Sequence, residues 1–258
     1  KNLGLGRVLK EAFPVLIGLK PAVDAYNIAK RKNMKVADAN GDGVVDLITE
    51  MTYGHAYYAA DSDKAGTNYM QTIFKAFVDG RKLITSADGA ALTDKQREEL
   101  KGHANTIKVA WEKVIAEAVF KYAGSVYKDL AKLDKIMKSN GDSKKAFATY
   151  AKHWGEAKGF AMALEAGATD RSDVAAKLTS LLGYGPWLPN LSQVTDIAKN
   201  GSYVKDEASP LEAYQLHMLK VQKLMVDEFK VAARSNDMLG SMNDLAAKLG
   251  GSGYAEND

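Results

Sequence analysis

The chain has 258 residues, of which 46% are hydrophobic and 26% charged, values typical of a soluble globular protein rather than a disordered chain. The 35 basic residues nearly balance the 32 acidic ones, which leaves a net charge of +3 and argues against nucleic-acid binding. The chain has no cysteine, so disulfides, thiolate metal sites and cysteine nucleophiles are excluded. No apolar run reaches the roughly 18 residues that predict a transmembrane helix.

The chain opens at Lys1 without a methionine or a charged and then apolar leader. We therefore expect a mature or trimmed form that has lost a signal or lipid-anchor segment upstream of Lys1.

The segment 38–50, DANGDGVVDLITE, has the spacing of an EF-hand-like calcium loop. Calcium prefers a shell of oxygen ligands, which alternate residues of a tight loop supply, and a glycine (here Gly43) allows the turn at the sixth place. The first, third, fifth, seventh and ninth places are Asp38, Asn40, Asp42, Val44 (through its carbonyl) and Asp46.

The last ligand of this loop departs from the usual pattern. Thr49 occupies the twelfth place, where a bidentate glutamate is normal, and Glu50 follows it. Either a small bulge lets Glu50 reach the ion, or Asp46 and water complete the shell. The alternative is an Asx-rich turn in which Asp46 caps the following helix. A single weak loop suits a structural calcium ion in an extracytoplasmic protein better than a cytosolic sensor.

Three long helices are predicted from periodicity and caps. Residues 93–133 begin with capping-box spacing between Thr93 and Gln96, and their apolar residues recur every three or four positions. A second helix runs from Asp142 or Ser143 to about residue 165. A third has Ser209 as its predicted N-cap. Shorter helices are expected at about 12–32, 47–60, 68–85, 172–182 and 192–199.

These elements predict an all-α fold, a bundle of about seven or eight helices, because long helices with short polar turns pack antiparallel. We expect one domain over 1–258, with a connector at 183–190 and a flexible tail at 250–258, GGSGYAEND.

The segment 151–160, AKHWGEAKGF, carries a second candidate site. His153 and Glu156 are three residues apart on a predicted helix, so their side chains emerge on one side and could share a transition-metal ion with ligands from another helix. The alternative is a His153–Glu156 hydrogen bond beside a core Trp154. The two histidines of a zincin helix are missing, so a metallopeptidase lacks its main motif.

The same region resembles a bacterial family of uncharacterised exported proteins, many of them lipoproteins, that is related to the imelysins. The family pattern W-x-E-x-x-G-F/Y is matched by Trp154, Glu156, Gly159 and Phe160, and the resemblance covers about 93–182. The imelysin motif G-x-H-x-x-E keeps His153 and Glu156, but alanine replaces its glycine at position 151. The resemblance implies an all-helical imelysin-like bundle, a periplasmic or cell-surface location, and a role tied to iron acquisition.

The sequence therefore predicts a non-enzymatic binding protein for a metal ion or small ligand, with structural calcium at 38–50 and iron or another transition metal at His153 and Glu156. Two alternatives stay open. One is a metal-dependent hydrolase that uses the same two residues. The other is a calcium-stabilised adhesion or carbohydrate-binding module, in which Trp111, Trp154 and Trp187 could line a groove.

Overall fold

The computed structural model describes residues 54–165 and 170–231, and 72% of these residues are helical. The high helix content confirms the predicted all-α class. The described residues form six helices and one two-stranded sheet. In chain order they are α1 (Gly54–Lys64), α2 (Tyr69–Ser86), α3 (Asp94–Lys138), α4 (Lys144–Glu165), α5 (Ser172–Leu182), β1 (Ser192–Ile197), β2 (Tyr203–Glu207) and α6 (Leu211–Phe229). The helix predicted at 12–32 and the tail at 250–258 lie outside the described ranges.

The chain divides into two compact units, Lys1–Val114 and Ile115–Asp258. In the first unit, α1, α2 and the first part of α3 bury a core that includes Ile73, Phe77 and Leu100. The carboxylate of Asp63 caps the start of α2, because it accepts hydrogen bonds from the backbone N–H groups of Tyr69 and Met70 at 2.6 and 2.9 Å.

The predicted capping box starts α3. Thr93 N–H donates to Gln96 Oε1 at 2.9 Å, and Gln96 N–H donates to Thr93 Oγ1 at 3.3 Å. Most of the predicted apolar stripe is buried, including Val126, Leu130 and Leu133 in the second unit. The helix ends at Lys138, five residues beyond the predicted end.

The core of the second unit is formed by the remainder of α3 together with α4, α5 and α6. Its largest fully buried side chains include Trp187, Tyr150 and Tyr214. Helix α5 has the predicted bounds, and residues 183–190 form a connector as expected.

The helix predicted at 192–199 was wrong, because this segment is strand β1, paired antiparallel with β2. Val194, Thr195 and Ile197 are β-branched and favour strand. Asn200–Gly201 then forms the turn, where Gly201 adopts φ +82 and donates its N–H to the carbonyl of Ala198 at 2.8 Å. An Asn-Gly pair between two such segments is a strong hairpin signal.

The predicted side-chain cap of the last helix was also wrong. Helix α6 begins at Leu211, its N-cap is Pro210, and no side chain caps it. The backbone carbonyl of Ser209 instead accepts a hydrogen bond from the indole Nε1–H of Trp187 at 2.9 Å. The helix therefore starts one residue later than predicted, and Ser209 contacts Trp187 through its backbone.

Candidate functional site

The residues predicted to hold calcium lie outside the described ranges. They are Asp38, Asn40, Asp42, Val44, Asp46 and Glu50. The calcium loop therefore stays a prediction, and the site described below is the second one, on α4.

His153 on α4 pairs with a carboxylate on α3. Its Nδ1 lies 2.6 Å from Oδ2 of Asp129, and both side chains are partly buried, with 24% and 17% of their surface exposed. The contact joins the two arms of the α3–α4 helical hairpin. In the alternative interpretation of this region, His153 was expected to bond to Glu156, but its carboxylate partner is Asp129.

Glu156 lies one turn after His153 on the same helix. Its Oε1 is 3.7 Å from the Nζ of Lys152, whose side chain is 67% exposed, so this ion pair is long and loosely held. Its Oε2 is buried and accepts no hydrogen bond from the described residues. A buried carboxylate oxygen without a donor is costly, and a cation or a donor from a ligand would relieve that cost.

An aromatic group borders the His153–Asp129 pair. The ring of Tyr122 stacks on Phe160 at 5.8 Å between centroids, with only 11° between the planes, and lies 6.0 Å from the His153 ring. These contacts restrict the orientation of the imidazole. The His153 side chain is therefore held by the carboxylate of Asp129 and by the ring of Tyr122.

Trp154, the neighbour of His153, belongs to the core. Its indole Nε1–H donates to the hydroxyl of Tyr214 at 2.9 Å and to the carbonyl of Leu182 at 3.2 Å. Burial raises the pKa of Tyr214 above its usual range, so its hydroxyl stays protonated and donates to the same carbonyl at 2.8 Å. Trp154 thus fixes the position of α4 relative to α5 and α6.

Within the residues that the structure describes, no group of three or more histidine, aspartate and glutamate side chains is placed to hold a metal ion. His153 and Glu156 would supply two direct ligands at most. Asp129 engages the imidazole itself, which is the arrangement of a residue that orients a ligand rather than one that binds the ion.

The tryptophans that could have lined a sugar groove are mostly internal. Trp154 and Trp187 are buried, with 9% and 0% exposed surface, and Trp111 is partly buried. The exposed aromatic residues among those described are Phe74, Tyr184 and Tyr203. None of the described helices is long and apolar enough to cross a membrane.

Asp129 is the site residue that sequence reasoning missed. The turn between α3 and α4 occupies 139–143, and an antiparallel pair folded about this turn places position 129 opposite position 153. The pairing could have been inferred once both helices were assigned, by counting back equally from the turn along each helix.

Comparison with protein-family models, with curated proteins and with solved structures finds no match to this chain.

Proposed function

We propose that this chain is an extracytoplasmic, non-enzymatic binding protein of imelysin-like type that binds a transition-metal ion, such as iron, through His153 and Glu156. A structural calcium ion at 38–50 belongs to the same proposal. The observation that carries the metal site is the short contact between His153 Nδ1 and Asp129.

The contact between His153 Nδ1 and Asp129 supports a role for His153 as a metal ligand, because it leaves Nε2 of the imidazole available. When Nδ1–H donates to a carboxylate, the imidazole is held in the tautomer whose Nε2 carries the lone pair. His153 Nε2 has no hydrogen-bond partner among the described residues and can therefore accept a metal ion. A carboxylate behind a histidine also raises the basicity of the ligating nitrogen.

Glu156 supports the same assignment by its charge and its environment. Among the described residues, one carboxylate oxygen is buried without a donor, and the side chain forms one ion pair, with the exposed Lys152. A bound cation would satisfy that oxygen and offset its desolvation. His153 and Glu156, one turn apart on α4, would supply one nitrogen and one oxygen ligand.

A binding role is favoured over hydrolysis by the number of ligands. A catalytic zinc centre commonly uses three protein ligands and keeps a position for water. The described residues contain no group of three. Two protein ligands leave most positions to water or to a small chelating ligand, which suits reversible capture of a metal or metal complex.

The test is a titration of chelator-treated protein with Zn²⁺, Co²⁺ and Fe²⁺ by calorimetry, with wild type compared to His153→Ala and Glu156→Ala. We expect each variant to lose at least about tenfold in affinity, since each removes a direct ligand. His103→Ala is the matched control, because His103 is a partly buried histidine of the first unit. Equal affinities in all four proteins would refute the site.

The calcium part of the proposal has its own test. Asp42 is the fifth-place ligand of the loop, so Asp42→Ala should abolish the rise in melting temperature that Ca²⁺ produces in wild type and that EDTA reverses. Glu228→Ala, which removes an exposed acid from α6, should keep the response. A wild-type melting temperature that is indifferent to Ca²⁺ and EDTA would exclude a structural calcium ion.

The extracytoplasmic location and the link to iron rest on the resemblance at 93–182 and on the weak calcium loop. Cell fractionation of the native host, probed with antibody to this chain, tests the location. Recovery in the cytosolic fraction alone would contradict it.

A further inference from the structure

A segment around the turn of the α3–α4 helical hairpin has a net positive charge larger than that of the entire chain. Residues 121–152 contain eight lysines, three aspartates, no arginine and no glutamate, whereas the net charge of the entire chain is only +3. The excess of basic over acidic residues therefore lies in this part of the second unit, and the remainder of the chain is slightly acidic.

The lysines of this segment are arranged in rows. On α3, the steps from Lys121 to Lys128, Lys132 and Lys135 are seven, four and three residues, so these side chains share one stripe of the helix. The stripe is about 21 Å long at 1.5 Å per residue. On α4, Lys145 and Lys152 are likewise seven residues apart. We name these six lysines the lysine face.

Both rows point away from the core. The buried residues on the opposite side of α3 include Leu130 and Leu133, and those of α4 include Tyr150 and Trp154. The contact between Asp129 and His153 holds the two helices side by side. The rows therefore open toward the same side of the helix pair, and all six lysines are exposed.

Lys152, at one end of the lysine face, forms a long ion pair with Glu156 at 3.7 Å, but the three aspartates of the segment do not neutralise the central lysines of α3. Asp129 is engaged by His153, Asp134 forms an ion pair with Lys138 at 2.7 Å, and Asp142 accepts a hydrogen bond from the backbone of Lys144 at 3.0 Å. Lys128, Lys132 and Lys135 form no ion pair with the described residues. Their charge is uncompensated within this part of the protein.

We propose that the lysine face docks on a bilayer surface that contains anionic phospholipids. A straight row of lysines on the outer side of two adjacent helices is a nearly flat array of point charges, and such an array matches a planar anionic surface. Lysine is a flexible point charge, whereas arginine is the residue of choice for bidentate recognition of phosphates in nucleic acids.

The positions of the exposed apolar side chains are consistent with contact between the lysine face and lipid headgroups. The exposed large apolar side chains are Phe74, Val109, Met162, Tyr184, Leu191, Ile197, Tyr203 and Val204, and none lies within 121–152. The lysine face therefore has no exposed aromatic ring on which bases could stack and no apolar wedge that would insert into lipid. Electrostatic attraction between the lysines and the anionic headgroups is therefore the interaction we expect to drive binding.

The test is co-sedimentation of the purified full chain with vesicles of phosphatidylcholine alone or mixed with phosphatidylglycerol. We expect binding to the mixed vesicles only, with a strong decrease as added salt shortens the Debye length below about 10 Å. Each lysine near an anionic surface contributes about fivefold in affinity, so the triple variant Lys128→Gln, Lys132→Gln and Lys135→Gln should bind on the order of 100-fold more weakly.

The matched control removes the same charge elsewhere in the second unit, with Lys177→Gln, Lys199→Gln and Lys205→Gln, all exposed. The control should keep nearly all of the vesicle binding. Equal losses in the two triple variants, or equal binding to neutral vesicles, would overturn the proposal. Tighter binding of wild type to duplex RNA or DNA than to mixed vesicles at the same salt, lost in the Lys128 triple variant, would also overturn it.

Discussion

The indole of Trp154 and the hydroxyl of Tyr214 lie 2.9 Å apart, and both donate to the backbone carbonyl of Leu182. That carbonyl belongs to the last residue of α5, where the helix has no further N–H to offer. Gln193 on β1 donates to it as well, at 3.1 Å. The carbonyl at the C-terminal end of α5 thus accepts hydrogen bonds from side chains of α4, α6 and the β1–β2 hairpin.

We predict that Tyr214→Phe destabilises the protein by about 1–3 kcal/mol, because the change removes a donor from the Leu182 carbonyl and an acceptor from Trp154 in a buried site. The measurement is the free energy of unfolding in urea. Tyr203→Phe is the control, since Tyr203 is 71% exposed and its change should stay within about 0.5 kcal/mol. Similar values for the two variants would show that the buried hydroxyl contributes nothing.

We predict that Asp129→Asn weakens the proposed metal binding about 10- to 100-fold, because an amide no longer holds the His153 imidazole as a carboxylate does. Calorimetric titration with Zn²⁺ measures the effect. Asp134→Asn removes a neighbouring charge whose partner is Lys138 rather than the histidine, and its affinity should match wild type. If both variants lose the same affinity, general electrostatics explains the loss and a positioning role for Asp129 is refuted.

We predict that Gly183→Ala destabilises the protein more than Gly201→Ala. Both glycines have positive φ values, +77 and +82, and ψ at Gly183 is 176, a backbone region that essentially only glycine adopts. An alanine is therefore strained at both positions, by roughly 1–3 kcal/mol. A Cβ at Gly183 would also lie 2.2 Å from Nε2 of Gln193, whereas nothing lies within 4 Å at Gly201. The alanine would displace the Gln193 amide, which donates to the carbonyls of Leu182 and Gly185, at an additional cost of roughly 1–3 kcal/mol. Urea unfolding of both variants checks the difference, and equal costs would contradict the clash.

We predict that His217 makes the protein less stable in mild acid. Burial lowers the pKa of His217 below its usual range, and the charge of Lys220 acts in the same direction against an opposing hydrogen bond to the backbone of Leu181. The unfolded chain therefore binds this proton more readily than the folded one. The stability that the neutral imidazole contributes is complete above an unfolded pKa of about 6.5 and is lost as pH falls through the folded pKa.

His217→Gln isolates this effect, because glutamine cannot take up the proton. The free energy of unfolding should fall less steeply with decreasing pH for the variant than for wild type, between about pH 7.5 and 5. Parallel curves for the two proteins would show that another group is responsible for the acid sensitivity.

Local sequence information predicted most of the helices that the structure describes. The bounds of α5 and the capping box of α3 depend on residues within a few positions, and spacing of three and four residues reports a buried stripe directly. The segment of β1 was misassigned because six residues are too few for periodicity to separate strand from helix, and its hairpin depends on pairing with β2.

The sequence by itself determined that His153 and Glu156 lie on one helix, because their spacing is a local property of α4. It also determined the concentration of lysine in 121–152. Only the tertiary structure decided that Asp129 is the partner of His153, that Trp154 is buried against Tyr214, and that the lysines of α3 and α4 open toward the same side. Those relationships join residues 24 to 60 positions apart or depend on which helix side is buried, and packing of the entire unit sets them.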